Sequence, residues 1–218
     1  MNYKIWNDSN ESVPTVYIHS FIGNGEDVWK AAHEINCPPF NLVSIHDFEA
    51  DSDLSPWKTE NVWKGQPPFK GNAEKHLIEI IERLVPKVEA QLPSPSSYVA
   101  MAGYSLAGLF TLWSCWHTDR FQRIACISAS LWYPGFFDFI TQHVMVASPA
   151  SLYFSLGNKE SKTKHPLMRQ VEDLTQRTFE LVQSLGIPTT FEINPGNHFT
   201  DPDKRTARGI QWMLGNPQ

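Results

Sequence analysis

Apolar positions along the chain recur with two periods. Residues 13–19, 41–46, 97–102, 123–129, 151–156 and 189–194 form short runs rich in β-branched and aromatic residues, as expected of strands buried on both faces. Between them the spacing becomes helical. Residues 72–91 place Leu77, Ile80, Ile81, Leu84, Val85 and Val88 three and four apart, and residues 106–116, 166–185 and 202–214 carry comparable stripes. Asp201 and Pro202 suit the start of the last helix, and Gly186 and Pro188 suit the stop of the one before it. The alternation predicts a three-layer α/β fold with a mostly parallel central sheet, built as a single domain over residues 1–218.

Composition narrows the class. The 218 residues are 41% hydrophobic and carry 18 Lys and Arg against 23 Asp and Glu, a formal charge of −5. A disordered chain is excluded, and with no basic run the sequence lacks the footprint that nucleic acid or an anionic membrane surface requires. The uncharged stretch 98–116 approaches membrane-spanning length, but Gly103 and Gly108 break it into a short strand and an amphipathic segment. Cys37, Cys115 and Cys126 are scattered and odd in number, which fits a reducing compartment. The first residues hold no apolar signal segment, so the expected location is the cytoplasm.

Ligands of open α/β sheets bind beyond the carboxyl ends of the strands, so the chemistry is sought there. After the run ending at Ala102 comes Gly103-Tyr104-Ser105-Leu106-Ala107-Gly108, a G-x-S-x-[GA] turn that exposes a nucleophilic serine between a strand and a helix. The run ending at Asn194 leads into Pro195-Gly196-Asn197-His198-Phe199, which supplies a histidine as general base. Gly157-Asn158-Lys159-Glu160 follows the run ending at Leu156, making Glu160 the natural acid to orient that histidine. Glu172, Asp173, Glu192 and Asp201 are rival carboxylates, and a Ser–His dyad is the remaining alternative. An oxyanion hole would combine the Leu106 N–H with a donor from His19-Ser20-Phe21-Ile22-Gly23, with Phe21 chosen and Ser20 as the alternative.

These segments, together with Ser128-Ala129-Ser130-Leu131-Trp132-Tyr133-Pro134-Gly135-Phe136, resemble the esterases of the α/β-hydrolase superfamily. That group includes enterochelin-type siderophore esterases and esterase D. The resemblance spans about residues 13–214 and implies that Ser105, Glu160 and His198 act as a triad and that Trp132 lies near the site. Two positions depart from the family pattern: Ala107 stands where Gly is usual, and His19-Ser20 stands where His-Gly is usual. Only residues 130–150 separate the strand after the nucleophile helix from the acid strand, too few for a lid domain. An open cleft is therefore expected, with Trp57, Trp132 and Phe136 as its walls. The expected activity is that of a serine carboxylesterase acting on a small-molecule ester, without metal or organic cofactor. Acyl transfer on the same fold and a catalytically silent binding protein are the alternatives. No pattern along the chain specifies an oligomeric state.

Overall fold

The computed structural model describes residues 1–62 and 65–215. Strands β1 (Asn2–Trp6), β2 (Thr15–His19), β3 (Asn41–His46), β6 (Val99–Tyr104), β7 (Arg123–Ile127), β8 (Ser151–Gly157) and β9 (Thr189–Asn194) form one sheet in the order β1-β3-β2-β6-β7-β8-β9. β4 (Lys58–Thr59) and β5 (Phe69–Lys70) form a separate antiparallel pair. Within the large sheet only the pairing of β1 with β3 is antiparallel. The helices are α1 (Glu26–Glu34), α2 (Ala50–Asp53), α3 (Ala73–Glu79), α4 (Val85–Glu89), α5 (Leu106–Ser114), α6 (Phe136–Gln142), α7 (Val171–Ser184) and α8 (Pro202–Gly215).

Alternate strand residues point into two separate apolar layers. Val16, Ile18, Leu42, Ala100, Ala102, Ala125, Ile127 and Tyr153 pack with Val28, Ala31 and Ala32 of α1 and Ala207, Ile210 and Met213 of α8. Tyr17, Val43, Met101, Ile124, Cys126, Leu152 and Phe154 face the other way, onto α3, α4, α5 and α7. The result is the three-layer α/β architecture expected from the alternation. Every residue of α5 is buried, as expected of a helix that is apolar all round.

The structure refines three readings. β1 was not legible, because Asn-Tyr-Lys-Ile-Trp alternates polar and apolar groups on a half-exposed edge. The helix expected over 72–91 is interrupted by a π-helical turn, Ile80–Leu84, just before Pro86. Proline lacks the N–H and its ring crowds the carbonyl four residues back, and the wider turn absorbs that conflict. At the start of α8, Asp201 adopts φ 49° and its backbone carbonyl accepts from the Arg205 N–H.

Candidate active site

Ser105 lies between β6 and α5 with φ 57° and ψ −122°, a conformation that costs a non-glycine residue about 1–3 kcal/mol. Neighbouring contacts hold it there. Its N–H donates to Ile127 O at 3.0 Å, and its carbonyl accepts from Ser130 N at 3.0 Å and Leu109 N at 3.1 Å. Gly103 cannot carry a side chain, since a Cβ there would overlap the Ala107 carbonyl. The turn thus aims the Ser105 hydroxyl away from the core.

His198 follows β9 on a loop that Asn197 shapes by accepting the Phe199 N–H at 2.9 Å and the Thr200 hydroxyl at 3.2 Å. Glu160 follows β8. The two loops are joined by Gly196 N to Asn158 Oδ1 at 3.0 Å and Lys159 N to Gly196 O at 3.0 Å. Gly157 makes this closeness possible, because a Cβ would stand 2.6 Å from Gly196 O and 2.9 Å from Glu160 Oε1. The three side chains then meet: His198 Nε2 is 2.9 Å from Ser105 Oγ, and His198 Nδ1 is 2.7 Å from Glu160 Oε2. The tautomer protonated on Nδ1 satisfies both bonds, leaving Nε2 to accept from the serine.

Glu160 is nearly enclosed, its side chain 3% exposed against 24% for His198. Oε1 accepts from Ser128 Oγ at 2.7 Å, Gly157 N at 2.7 Å and Arg205 Nη1 at 3.1 Å. Burial opposes its ionisation, but the hydrogen bonds and charge of His198, with those from Ser128 and Gly157, outweigh burial and hold the carboxyl below the usual carboxylate range. Of the rival carboxylates, Glu172 accepts from Ser161, Asp173 pairs with Arg177, and Glu192 pairs with Arg208.

A cleft of about 630 Å3 opens beside Ser105 and His198, between the loop after β2 and the start of α8. Phe21, Ile22 and Phe199 form its apolar rim, with exposures of 48%, 93% and 78%. Asp27 and Asp203 lie farther along, where partial burial and the charge of Asp27 push the Asp203 carboxyl up. Leu106 is the first residue of α5, directly after Ser105, and Phe21 lies on the loop after β2 that lines the cleft. The Ser20 N–H is already donated to Ile45 O at 2.8 Å, whereas the Phe21 N–H has no acceptor among the described residues.

The expected walls need correction. Phe136 is fully buried in the core and presents no surface to a ligand. Trp57 packs against Tyr133 and Phe139, and its Nε1 donates to Pro134 O at 3.0 Å. Trp132 is half-buried against the same core layer. The segment that follows Ser130 folds down onto the helices, pulled by buried Leu131 and Tyr133, so none of the three lines the cleft. Sequence reading also missed Tyr104, Ser128 and Arg205. One signal was present: Arg205 falls four and eight residues before Gly209 and Met213, on the buried stripe of α8.

Residues 2–184 match the family described as Putative esterase. The chain is 21% identical to the uncharacterised protein YbbA of Bacillus subtilis (strain 168) over 215 residues, covering 93% of this chain and 86% of that one. Among solved structures, an IroE-like serine hydrolase from Shewanella oneidensis superposes with a TM-score of 0.80 at 20% identity, covering 98% of this chain and 75% of that chain. The siderophore hydrolase EstA from Aspergillus nidulans gives 0.72 at 18% identity, covering 98% and 90%.

Proposed function

Since the chain belongs to the Putative esterase family and is an esterase-type hydrolase, we propose that it is a serine carboxylesterase working through an acyl-enzyme. The observation that carries this reading is the continuous path from Ser105 Oγ through the His198 ring to Glu160 Oε2. Ser105 attacks the ester carbonyl while His198 Nε2 takes its proton, and Glu160 stabilises the imidazolium. The oxyanion is received by the N–H groups of Leu106 and Phe21, the latter supported by the engagement of Ser20 N with Ile45 O. Collapse returns the proton from His198 to the leaving alcohol. Water, deprotonated by the same nitrogen, then releases the acid and restores Ser105.

The substrate class follows from the cleft. An apolar rim of Phe21, Ile22 and Phe199 suits an ester with an apolar group beside the scissile bond, and the siderophore hydrolase among the structural neighbours supports a small-molecule ester. Replacing Ser105 by Ala is expected to lower kcat on a short p-nitrophenyl ester by about 10³-fold or more. A fluorophosphonate should label the native chain once, at Ser105. Native turnover in Ser105→Ala, or labelling elsewhere only, overturns the reading.

A further inference from the structure

Arg205 is a guanidinium with 4% side-chain exposure, and it touches the ends of four consecutive parallel strands. Its Nη1 lies 3.5 Å from Tyr104 Oη at the end of β6, 3.2 Å from Ser128 Oγ after β7 and 3.1 Å from Glu160 Oε1 after β8. Its Nη2 donates to Pro195 O after β9 at 2.8 Å. Tyr104 in turn donates to the His198 carbonyl at 2.6 Å. The loops carrying the nucleophile, the acid and the base therefore share one cation that contacts neither Ser105 nor the cleft.

We infer that Arg205 is a positioning residue of the esterase site: it fixes the acid and base loops around Glu160, and its charge helps to set the acidic limb of the kcat/KM profile. The inference rests on the triad reading above. Two physical effects combine. A planar fork fixes Glu160, Ser128 and the Pro195 backbone at once, which a flexible ammonium cannot do. Its charge, in contact with Glu160, favours the ionised carboxylate and places a fixed positive charge beside the acid and base loops. Other groups face the same assembly: Tyr104 from β6, Glu160 from the loop after β8, and Asp27 of α1 and Asp203 of α8 from the cleft. A substitution at 205 removes none of these titratable groups, and the comparison of Arg205→Met with Arg205→Lys, which keeps the charge, separates the charge from the fork.

The test compares Arg205→Met and Arg205→Lys with the native chain, using folded protein judged by near-UV circular dichroism and an ester that Ser105→Ala does not hydrolyse. In Arg205→Met the acidic limb of kcat/KM should move to higher pH by about half to one unit, with plateau kcat about tenfold lower and KM within about threefold. In Arg205→Lys the charge stays and the fork is lost. Its limb should remain near the native position while kcat falls. A merely structural arginine would reduce the yield of folded protein without moving the limb. A native limb in folded Arg205→Met overturns the inference. Should that variant give no folded protein, native plateau kcat in Arg205→Lys overturns it. If Ser105→Ala retains native turnover, the triad reading itself has failed, an outcome read before either Arg205 variant is measured.

Discussion

Two histidines lie beyond or at the carboxyl ends of strands in the same sheet, in opposite electrostatic settings. His198 is partly exposed, with a carboxylate 2.7 Å from one nitrogen and a hydroxyl 2.9 Å from the other. His19, the last residue of β2, is buried with its Nε2 2.9 Å from Nε2 of His76 on α3. The rings of Phe48 and Phe110 stand edge-on to it, and its Nδ1 has no partner among the described residues. A single shared proton satisfies the facing nitrogens. Burial, then repulsion from His76, hold the His19 pKa well below the usual imidazole value; burial likewise lowers that of His76, partly offset by Asp53 and Glu79. The contrast teaches that the partner decides the setting: on the proposed mechanism His198 receives a proton between a hydroxyl and a carboxylate, whereas the pair under the loop after β2 is built to refuse a second one.

The largest expected effect breaks the first setting. Glu160→Gln should lower kcat/KM by about 10³-fold and shift its acidic limb to lower pH, because the imidazolium loses its counter-charge. The same change strands the buried Arg205 cation, a loss of about 3–5 kcal/mol of stability that urea unfolding would register. Full activity with an unmoved limb would remove Glu160 from the mechanism.

The second setting is probed by pH alone. The folded pKa values of His19 and His76 are depressed, so the unfolded chain takes up protons near ~6.5 that the folded chain refuses. Their contribution is complete above that pH and is lost as pH falls below it, by about 1.4 kcal/mol per histidine per unit until the folded pKa is reached. Glu160, whose folded pKa is also depressed, loses its contribution only below the usual carboxylate value of ~4.3. The melting temperature should therefore drop between pH 7 and 5. His76→Gln, which keeps a polar partner for His19, should flatten that drop; a native slope in this variant would show that the pair is not its origin.

The smallest effect concerns the rim. Phe199 is mostly exposed, so Phe199→Ala should change stability by no more than about 0.5 kcal/mol while raising KM a few-fold with kcat held. Unaltered KM for an ester with a bulky apolar group would take Phe199 out of the binding surface.

What could be read from the chain divides along physical lines. Strands such as β6 and β8 are buried on both faces, and burial forces the apolar runs that make them visible. Ser105 and Glu160 are visible because each follows such a strand, and His198 because β9, although a half-buried edge strand, still carries the β-branched and aromatic residues Thr189, Thr190, Phe191 and Ile193. α1 went unread although Val28, Ala31 and Ala32 are buried, because its nine residues interleave them with Glu26, Asp27, Lys30, His33 and Glu34. Trp57 and Phe136 show the opposite limit, since aromatic content reveals affinity for apolar surroundings but not on which side of a strand end they lie. Arg205 reads as one more solvated charge in Lys204-Arg205-Thr206-Ala207-Arg208 until the sheet is assembled around it.

The chain order of the site has a consequence for synthesis. Ser105 and His198 are 93 residues apart, and His198 follows β9, which among the described residues is an edge strand paired with β8 alone and which lies outside the residues matched to the family. On the proposed mechanism, a chain that ends before β9 carries Ser105 and the Glu160 loop but lacks His198, so it should not hydrolyse esters. On that reading, hydrolysis requires β9 to pair with β8 and bring His198 beside Ser105. Appearance of activity during translation would then report the pairing of β9 with β8.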